Sequence, residues 1–117
     1  MKLLTKEIRK KIPALYSNEN VALGEQEIAV KFFSPVGAAT WYATEGEPQY
    51  DEDGNEVDFL FFGYVDLFGD DISDEFGYFT LKQLEEVELP FGLGIERDMY
   101  FGKKKIKDVV KKYNEAA

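Results

Sequence analysis

The segment from Asp58 to Leu67 is the most apolar stretch of the chain, and aromatic side chains make up much of it. Aromatic and β-branched residues favour extended strands, where they pack on a half-buried surface. The sequence Phe62-Gly63-Tyr64 recurs as Phe76-Gly77-Tyr78, and we expect the glycines to let neighbouring strands pack closely beneath aromatic side chains. The segment is therefore predicted to be a strand whose aromatic residues belong mainly to the core. These residues are Phe59, Phe61, Phe62 and Tyr64, with Phe68 one step beyond the strand.

Four further strands are predicted from short runs in which side chains alternate between two faces. In the first, Ile28, Val30 and Phe32 share one face, and in the second, Trp41 and Tyr42 point to opposite faces. Glycine, proline and asparagine residues after the second strand predict a long mobile loop. The strands cover residues 27–33, 39–45, 76–79 and 96–101, and the loop covers residues 46–57.

Three short amphipathic helices are also predicted. The first covers residues 3–12, or starts at Lys6 if Thr5 caps it. The second covers residues 81–88, where Thr80 and Gln83 can form a capping box. The third begins near Lys103 and carries an apolar stripe at helical spacing. That stripe consists of Ile106, Val109, Val110 and Tyr113.

The order of these elements, α-β-β-β-β-α-β-α, predicts an α+β fold. We expect a single domain over residues 1–102, with an antiparallel sheet of about five strands and two or three short helices. Residues 103–117 are predicted to form a basic amphipathic C-terminal helix or tail. The chain has 117 residues, of which 44% are hydrophobic, so it can bury a core of its own.

Charge is strongly segregated along the chain. Between Glu45 and Glu75 there are twelve acidic residues and no lysine or arginine, and all of these acidic residues except Glu45 and Asp66 form two clusters, Glu47 to Asp58 and Asp70 to Glu75. Residues 12–102 contain twenty acidic and three basic residues, while the segments before and after them are each basic. The net charge of −9 therefore hides an acidic body between two basic ends. The three basic residues of the body are Lys31, Lys82 and Arg97.

The composition excludes several classes of enzyme. The chain has no cysteine and no histidine, which removes disulfides, thiolate chemistry, histidine-based triads and most catalytic zinc sites. No apolar run approaches the ~20 residues of a membrane span, and no signal peptide is recognised. We therefore expect a cytoplasmic protein without a cofactor, in which any catalysis would have to use carboxylates, lysine, tyrosine or a hard metal ion.

The acidic residues do not have the spacing of a known metal site. The loop from Asp51 to Glu56 offers oxygen ligands, but it has glutamate at position six and Phe62 at position twelve, where an EF-hand needs glycine and glutamate. Carboxylates also follow the aromatic strand, and a magnesium enzyme would need them to converge, usually near a lysine or histidine that this stretch lacks. They are Asp66, Asp70, Asp71, Asp74 and Glu75. We expect solvated acidic loops, no metal site and no catalytic residue.

Two features resemble nucleic-acid-binding sequences. The segment Phe62–Leu67 resembles the aromatic RNA-binding strand of the RRM, although it lacks the preceding basic residue and its surroundings would repel phosphates. The lysines between Lys103 and Lys112 form a basic helix face of moderate strength. The first feature is interpreted as core packing and the second as a structural or solvated face. Nucleic acid would therefore be contacted only through Lys103–Lys112.

Six segments taken together resemble a bacterial family described as domain of unknown function 2958. They are residues 1–7, 30–35, 40–45, 61–66, 77–81 and 93–101, of which WYATE (41–45) and ERDMYF (96–101) are the most specific. Members of that family tend to occur on plasmids, phages and conjugative elements, often near DNA methylation or replication genes. The resemblance covers about residues 1–102, and it carries over no activity. The lysine-rich tail after Gly102 departs from it.

Six residues are candidate binding residues: Trp41, Tyr42, Glu45, Asp66, Glu96 and Arg97. Arg97 is the sole arginine of the acidic body, and it is expected either to form a bidentate pair with a carboxylate or to bind an anion.

Three functions are open on this basis. The favoured one is a small acidic, non-enzymatic accessory protein of a mobile element that contacts another protein, with a basic nucleic-acid-handling protein as partner. The second is a carboxylate-based metal-binding module or metal-dependent enzyme centred on Glu45, Asp66 and Glu96. The third is nucleic-acid binding through the basic termini.

Overall fold

The computed structural model describes residues 1–69 and 75–114. It contains one five-stranded antiparallel sheet with short helices, which confirms the predicted α+β fold. The predicted carboxylates Asp70, Asp71 and Asp74 lie outside the described residues. The strands are β1 (Val30–Phe33), β2 (Thr40–Tyr50), β3 (Glu56–Asp66), β4 (Glu75–Thr80) and β5 (Glu96–Arg97), in the spatial order β4-β3-β2-β1-β5. The helices are α1 (Lys6–Lys11), α2 (Leu81–Glu85) and α3 (Ile106–Val109), and 3-10 turns cover Leu23–Glu25, Pro90–Gly92 and Lys111–Tyr113.

Helices α1 and α2 begin where capping by Thr5 and Thr80 predicts and end earlier than predicted, whereas α3 begins at Ile106 rather than near Lys103. The side chain of Thr80 accepts a hydrogen bond from the Gln83 amide, and the Gln83 side chain accepts one from the Thr80 amide, so the predicted capping box is present. At the start of α1, the side chain of Thr5 accepts a hydrogen bond from the Ile8 amide. Helix α2 ends at Glu85 rather than near residue 88. So short a helix depends on tertiary packing, which here is supplied by the buried Leu84.

The prediction of a long mobile loop over residues 46–57 is wrong. Most of it is strand, because Gly46 pairs with Phe61 and Pro48 pairs with Phe59, and only residues 51–55 connect β2 to β3. Proline is tolerated because β1 pairs only with Thr40 to Ala43 of β2, so β2 has no outer partner strand at Pro48. The connection is a tight turn in which the Asp51 carboxylate accepts hydrogen bonds from two backbone amides of the turn, each 2.9 Å long.

One face of the sheet carries the larger core. Phe61 lies at its centre, with its ring centroid 5.0 Å from that of Phe59, 5.2 Å from that of Phe79 and 5.4 Å from that of Phe32. The N-terminal segment and α2 cover these rings. The predicted core role is therefore confirmed for Phe59, Phe61 and Tyr64, whereas Phe62 is half-buried and Phe68, beyond the strand, is 68% exposed. The other buried members of this cluster are Leu3, Leu4, Ile12, Val30, Trp41, Ala43, Leu84 and Ile95.

The opposite face is covered by the C-terminal segment. Ile106 is fully buried and Val110 is 2% exposed, and both pack against Tyr64 of β3. Ile28 also belongs to this second cluster, which corrects the prediction that it shares a face with Val30 and Phe32. The reason is that β1 begins only at Val30, so the strand alternation does not extend back to residue 28.

Gly63 lies where β2 and β3 approach most closely. A Cβ atom at this position would lie 1.9 Å from the carbonyl oxygen of Tyr42 and 2.8 Å from the Cα of Ala43. The register of the β2–β3 pair shifts between Ala43 and Glu45, next to this contact. A side chain at Gly63 would therefore collide with rigid backbone. At Gly77, the corresponding glycine of β4, an added Cβ would meet nothing within 4 Å. Close packing thus explains Gly63 but not Gly77.

Ion pairs attach the C-terminal segment to the turn at residues 23–25. The Glu25 carboxylate accepts hydrogen bonds from Lys107 Nζ at 2.7 Å and from Lys105 Nζ at 2.9 Å. These two hydrogen bonds lower the pKa of Glu25 to about 2. A second attachment is the antiparallel bridge between Glu27 and Lys105. The ionised form of Glu25 therefore favours the docked state of the segment.

We predict that Gly63→Ala destabilises the fold by about 3 kcal/mol or more, because the added methyl group overpacks a backbone contact. Gly77→Ala is the matched control and should change the free energy of unfolding little, since the position is open. Chemical denaturation of the two variants and of the unaltered protein measures the difference. Equal stability of the two variants would contradict the argument.

We predict that Glu25→Gln lowers stability at neutral pH by loosening the C-terminal segment. The folded-state pKa of Glu25 is depressed, so its contribution is present above the unfolded-state pKa and is lost as the pH falls from about 4.5 to about 2. The stability difference between the unaltered protein and Glu25→Gln should shrink over that range in urea titrations. Glu19→Gln, at an exposed position, is the control. A difference that does not change with pH would be evidence against the ion pair.

Candidate interaction surfaces

Glu45 is almost completely buried, with 5% of its surface exposed. Its carboxylate accepts hydrogen bonds from the backbone amides of Tyr16 at 2.9 Å and Asn18 at 2.7 Å. Glu47, one pleat further along β2, accepts one from the amide of Leu15 at 3.2 Å. The two side chains thus hold the connection after α1 against the sheet. Glu45 therefore has a structural role, since its carboxylate attaches the connection after α1 to β2.

Trp41 and Arg97 lie in one row across the sheet, with Phe32 between them. Trp41 is 9% exposed and belongs to the larger core. The Arg97 guanidinium donates to the carbonyl oxygens of Lys2 at 2.6 Å and Leu3 at 3.0 Å. Arg97 therefore binds the backbone of the N-terminal segment, and the expected bidentate pair with a carboxylate is replaced by these contacts.

The three carboxylates of the metal hypothesis lie far apart. Glu96 and Asp66 occupy one row across the sheet but are three strand spacings apart, about 14 Å. Asp66 pairs with Thr40, so Glu45 lies five positions along β2 from that row, about 17 Å away. Asp66 instead accepts a hydrogen bond from the Gly69 amide. Within residues 1–69 and 75–114, no three acidic side chains are placed to hold a metal ion.

A groove of about 660 Å³ opens beside β1, where the chain leaves the sheet after β5. The amide of Asp98 still donates to the carbonyl oxygen of Lys31, but the chain returns to this edge only at Lys105, which bridges Glu27. The prediction of a strand over residues 96–101 is therefore too long, since β5 ends at Arg97. The charged residues that line the groove are Lys11, Glu27, Lys31, Arg97, Asp98 and Lys103.

Two lysines that line this groove, Lys31 and Lys103, contact other side chains of the protein. Lys31 Nζ lies 3.7 Å from an Asp98 carboxylate oxygen and 6.0 Å or less from the ring centroids of Tyr42 and Phe101. Lys103 Nζ lies 3.6 Å from a carboxylate oxygen of Glu27. The candidate residue Tyr42 thus lies on the face that holds Lys31, opposite Trp41. The sequence signal for this groove was the isolation of Lys31 within the acidic body.

The lysine-rich segment makes similar contacts with the protein. In addition to the pairs of Lys105 and Lys107 with Glu25, Lys104 Nζ lies 4.9 Å from the ring centroid of Phe101. Lys112 Nζ lies 5.2 Å from the ring centroid of Tyr64. These contacts agree with the interpretation of the segment as a structural basic face.

The acidic cluster at Glu47 to Asp58 lies on a projecting hairpin. Strands β2 and β3 have 11 residues each, whereas β1 has 4 and β4 has 6, so the β2–β3 turn extends beyond its neighbours. Glu56 pairs with Arg9, with an Oε2–Nη1 distance of 2.9 Å, and this hydrogen bond lowers the pKa of Glu56. At the turn itself, Glu52 and Asp53 are exposed and form no ion pair with any residue the structure describes.

Comparison with known proteins identifies a family. No curated protein and no solved structure matches the chain. None of the helices in the described part of the chain is long and apolar enough to span a bilayer. The family model described as protein of unknown function (DUF2958) matches residues 3–117. The match includes the lysine-rich segment, which the sequence had set apart. The chain with this five-stranded sheet therefore belongs to the DUF2958 family.

Proposed function

We propose that this protein is a non-enzymatic interaction module whose acidic β2–β3 hairpin contacts a basic, nucleic-acid-handling protein. The observation that carries the proposal is the shape and charge of the hairpin. Its turn extends beyond the rest of the sheet, carries exposed carboxylates and is held by the Asp51 side chain. A preorganised acidic projection loses little conformational entropy when it binds.

The partner is inferred from the chemistry of this projection. Exposed Tyr50 and Val57 flank the turn, so aromatic and apolar contact area lies next to the carboxylates of Glu52 and Asp53. Interfaces commonly combine a central aromatic side chain with charged residues at the rim. A basic cleft that normally holds nucleic acid complements both features, because DNA itself presents a dense array of negative charges. We propose that this contact occurs in the bacterial cytoplasm and that the protein is an accessory protein of a plasmid, phage or conjugative element.

The two other functions have less support. The third, nucleic-acid binding through the termini, would use at the C-terminal end lysines that already contact Glu25, Glu27 and aromatic rings of the protein. The second, a carboxylate metal site, would need Glu45, Asp66 and Glu96 to converge, and the sheet separates them. The carboxylates at the β2–β3 turn, in contrast, are already exposed and can contact a partner without a change in the fold.

The test uses a double charge reversal, Glu52→Lys with Asp53→Lys, and a matched control, Glu7→Lys with Glu19→Lys, which lie outside both the hairpin and the cavity described below. All four positions are exposed, and both double variants change the net charge equally. Proteins are captured from a nuclease-treated host extract at about 0.15 M salt. We expect the unaltered protein and the control to retain a DNA- or RNA-handling protein that the hairpin variant loses. Duplex DNA should displace that partner once it is purified.

Two results would contradict the proposal. One is that the unaltered protein captures no nucleic-acid-handling protein. The other is that the hairpin variant captures the same protein as well as the control does, which would attribute binding to net charge alone.

A further inference from the structure

We propose a second docking site, a cavity between α2, residues 92–96 and the N-terminal segment. It receives one large apolar side chain from a basic, extended segment of a protein partner, with the exposed Phe91 packing against that segment. The site shares no residue with the hairpin. The inference therefore goes beyond the proposed function, and the two can fail independently.

The cavity has an apolar floor and an acidic rim. Its volume is about 610 Å³, and it is lined by the buried Leu3, Leu84 and Ile95 and by Leu93, which is 38% exposed and supplies accessible apolar surface. Both charged side chains that line it are carboxylates, those of Glu85 and Glu96. An apolar side chain can enter such a cavity if the residues that flank it are positively charged. The candidate residue Glu96 thus belongs to this site.

The turn beside the cavity holds Phe91 in an unfavourable, left-handed backbone conformation. Phe91 has φ 64° and ψ 24° and is 93% exposed, and Gly92 follows with φ 71°. The turn is closed by a hydrogen bond from the Leu89 amide to the Leu93 carbonyl oxygen, 2.9 Å long. Left-handed backbone is costly for a bulky residue, and glycine would adopt it without that cost. In the isolated chain this aromatic side chain gains almost no burial to offset the strain.

A second residue with left-handed backbone shows the contrast. Tyr16 has φ 70°, but its amide donates to the buried carboxylate of Glu45, so a hydrogen bond accounts for its conformation. At Phe91 the strained backbone presents an exposed aromatic side chain next to Gly92, which lines the cavity. Strained residues cluster at functional sites, and exposed aromatic residues are frequent energetic centres of interfaces. These two observations, the cavity and the exposed side chain on a strained backbone, point to one docking site.

The charges around the site select a basic protein segment over other occupants. Glu86 and Glu88 follow α2 closely and add to the negative charge of Glu85. Anionic lipid headgroups would be repelled by these carboxylates. A second copy of the chain carries a net charge of −9 and would be repelled as well. A segment with a leucine, methionine or phenylalanine between lysine or arginine residues satisfies both the cavity and its rim.

The experiment uses a random-peptide display library selected on the full chain. Affinities of enriched peptides are then measured by fluorescence anisotropy. We expect enriched peptides to carry one large apolar residue flanked by basic residues. Phe91→Gly and the double variant Glu85→Gln with Glu96→Gln should each weaken binding about tenfold or more. Tyr100→Gly is the matched control, since Tyr100 is 92% exposed but lies outside the cavity, and it should bind unchanged.

Thermal melting separates a docking role from a structural one. Phe91→Gly removes the left-handed strain, so its melting temperature should be equal to or higher than that of the unaltered protein while its affinity falls. The hairpin variant of Glu52 and Asp53 should keep full peptide affinity, which distinguishes the two sites. The proposal is overturned if no such peptide is enriched, if Phe91→Gly and the glutamine variant bind as tightly as the control, or if Phe91→Gly unfolds the protein.

Discussion

The close approach of β2 and β3 at Gly63 is the contact on which the rest of the structure depends. The backbone of Tyr42 and Ala43 occupies the space that a side chain at this position would need. The register shift that follows places Glu45 opposite Phe62, with its carboxylate directed to the connection after α1. The same strand pair carries Phe61 into the larger core and Tyr64 into the smaller one. One backbone contact therefore sets the positions of both cores and of the buried carboxylate.

Two cores on one sheet explain how a chain of 117 residues surrounds its aromatic strand. The N-terminal segment covers one face, where Arg97 binds its carbonyl oxygens, and the C-terminal segment covers the other, where Glu25 binds its lysines. In both cases a charged side chain attaches a terminal segment that has little regular structure of its own. The basic ends also pair with the acidic body, through Lys105 and Lys107 with Glu25 and through Arg9 with Glu56. The β2–β3 turn remains as the part of the first acidic cluster that faces outward.

The proposed interactions use parts of the chain that the fold does not need for its own cohesion. The β2–β3 turn lies beyond the neighbouring strands, and Phe91 is displayed on a turn of unfavourable geometry. Both regions are acidic, so a basic partner could engage either one. The groove beside β1 differs in this respect, because two of its lysines, Lys31 and Lys103, are paired with Asp98 and Glu27. Exposed charge without an internal counterpart therefore distinguishes the candidate binding surfaces from the structural ones.

The sequence by itself determined the α+β class, the number of strands, the helix starts at Thr5 and Thr80, and the core role of the aromatic strand. These properties follow from local alternation, capping side chains and apolar content, which act over a few residues. Only the tertiary structure decided that residues 46–50 extend β2, that Ile28 and Val30 belong to different cores, and that Glu45 is buried. It also placed Arg97 on backbone carbonyls and exposed Phe91. These outcomes depend on register and on contacts between residues distant in the chain, for which local sequence patterns carry no signal.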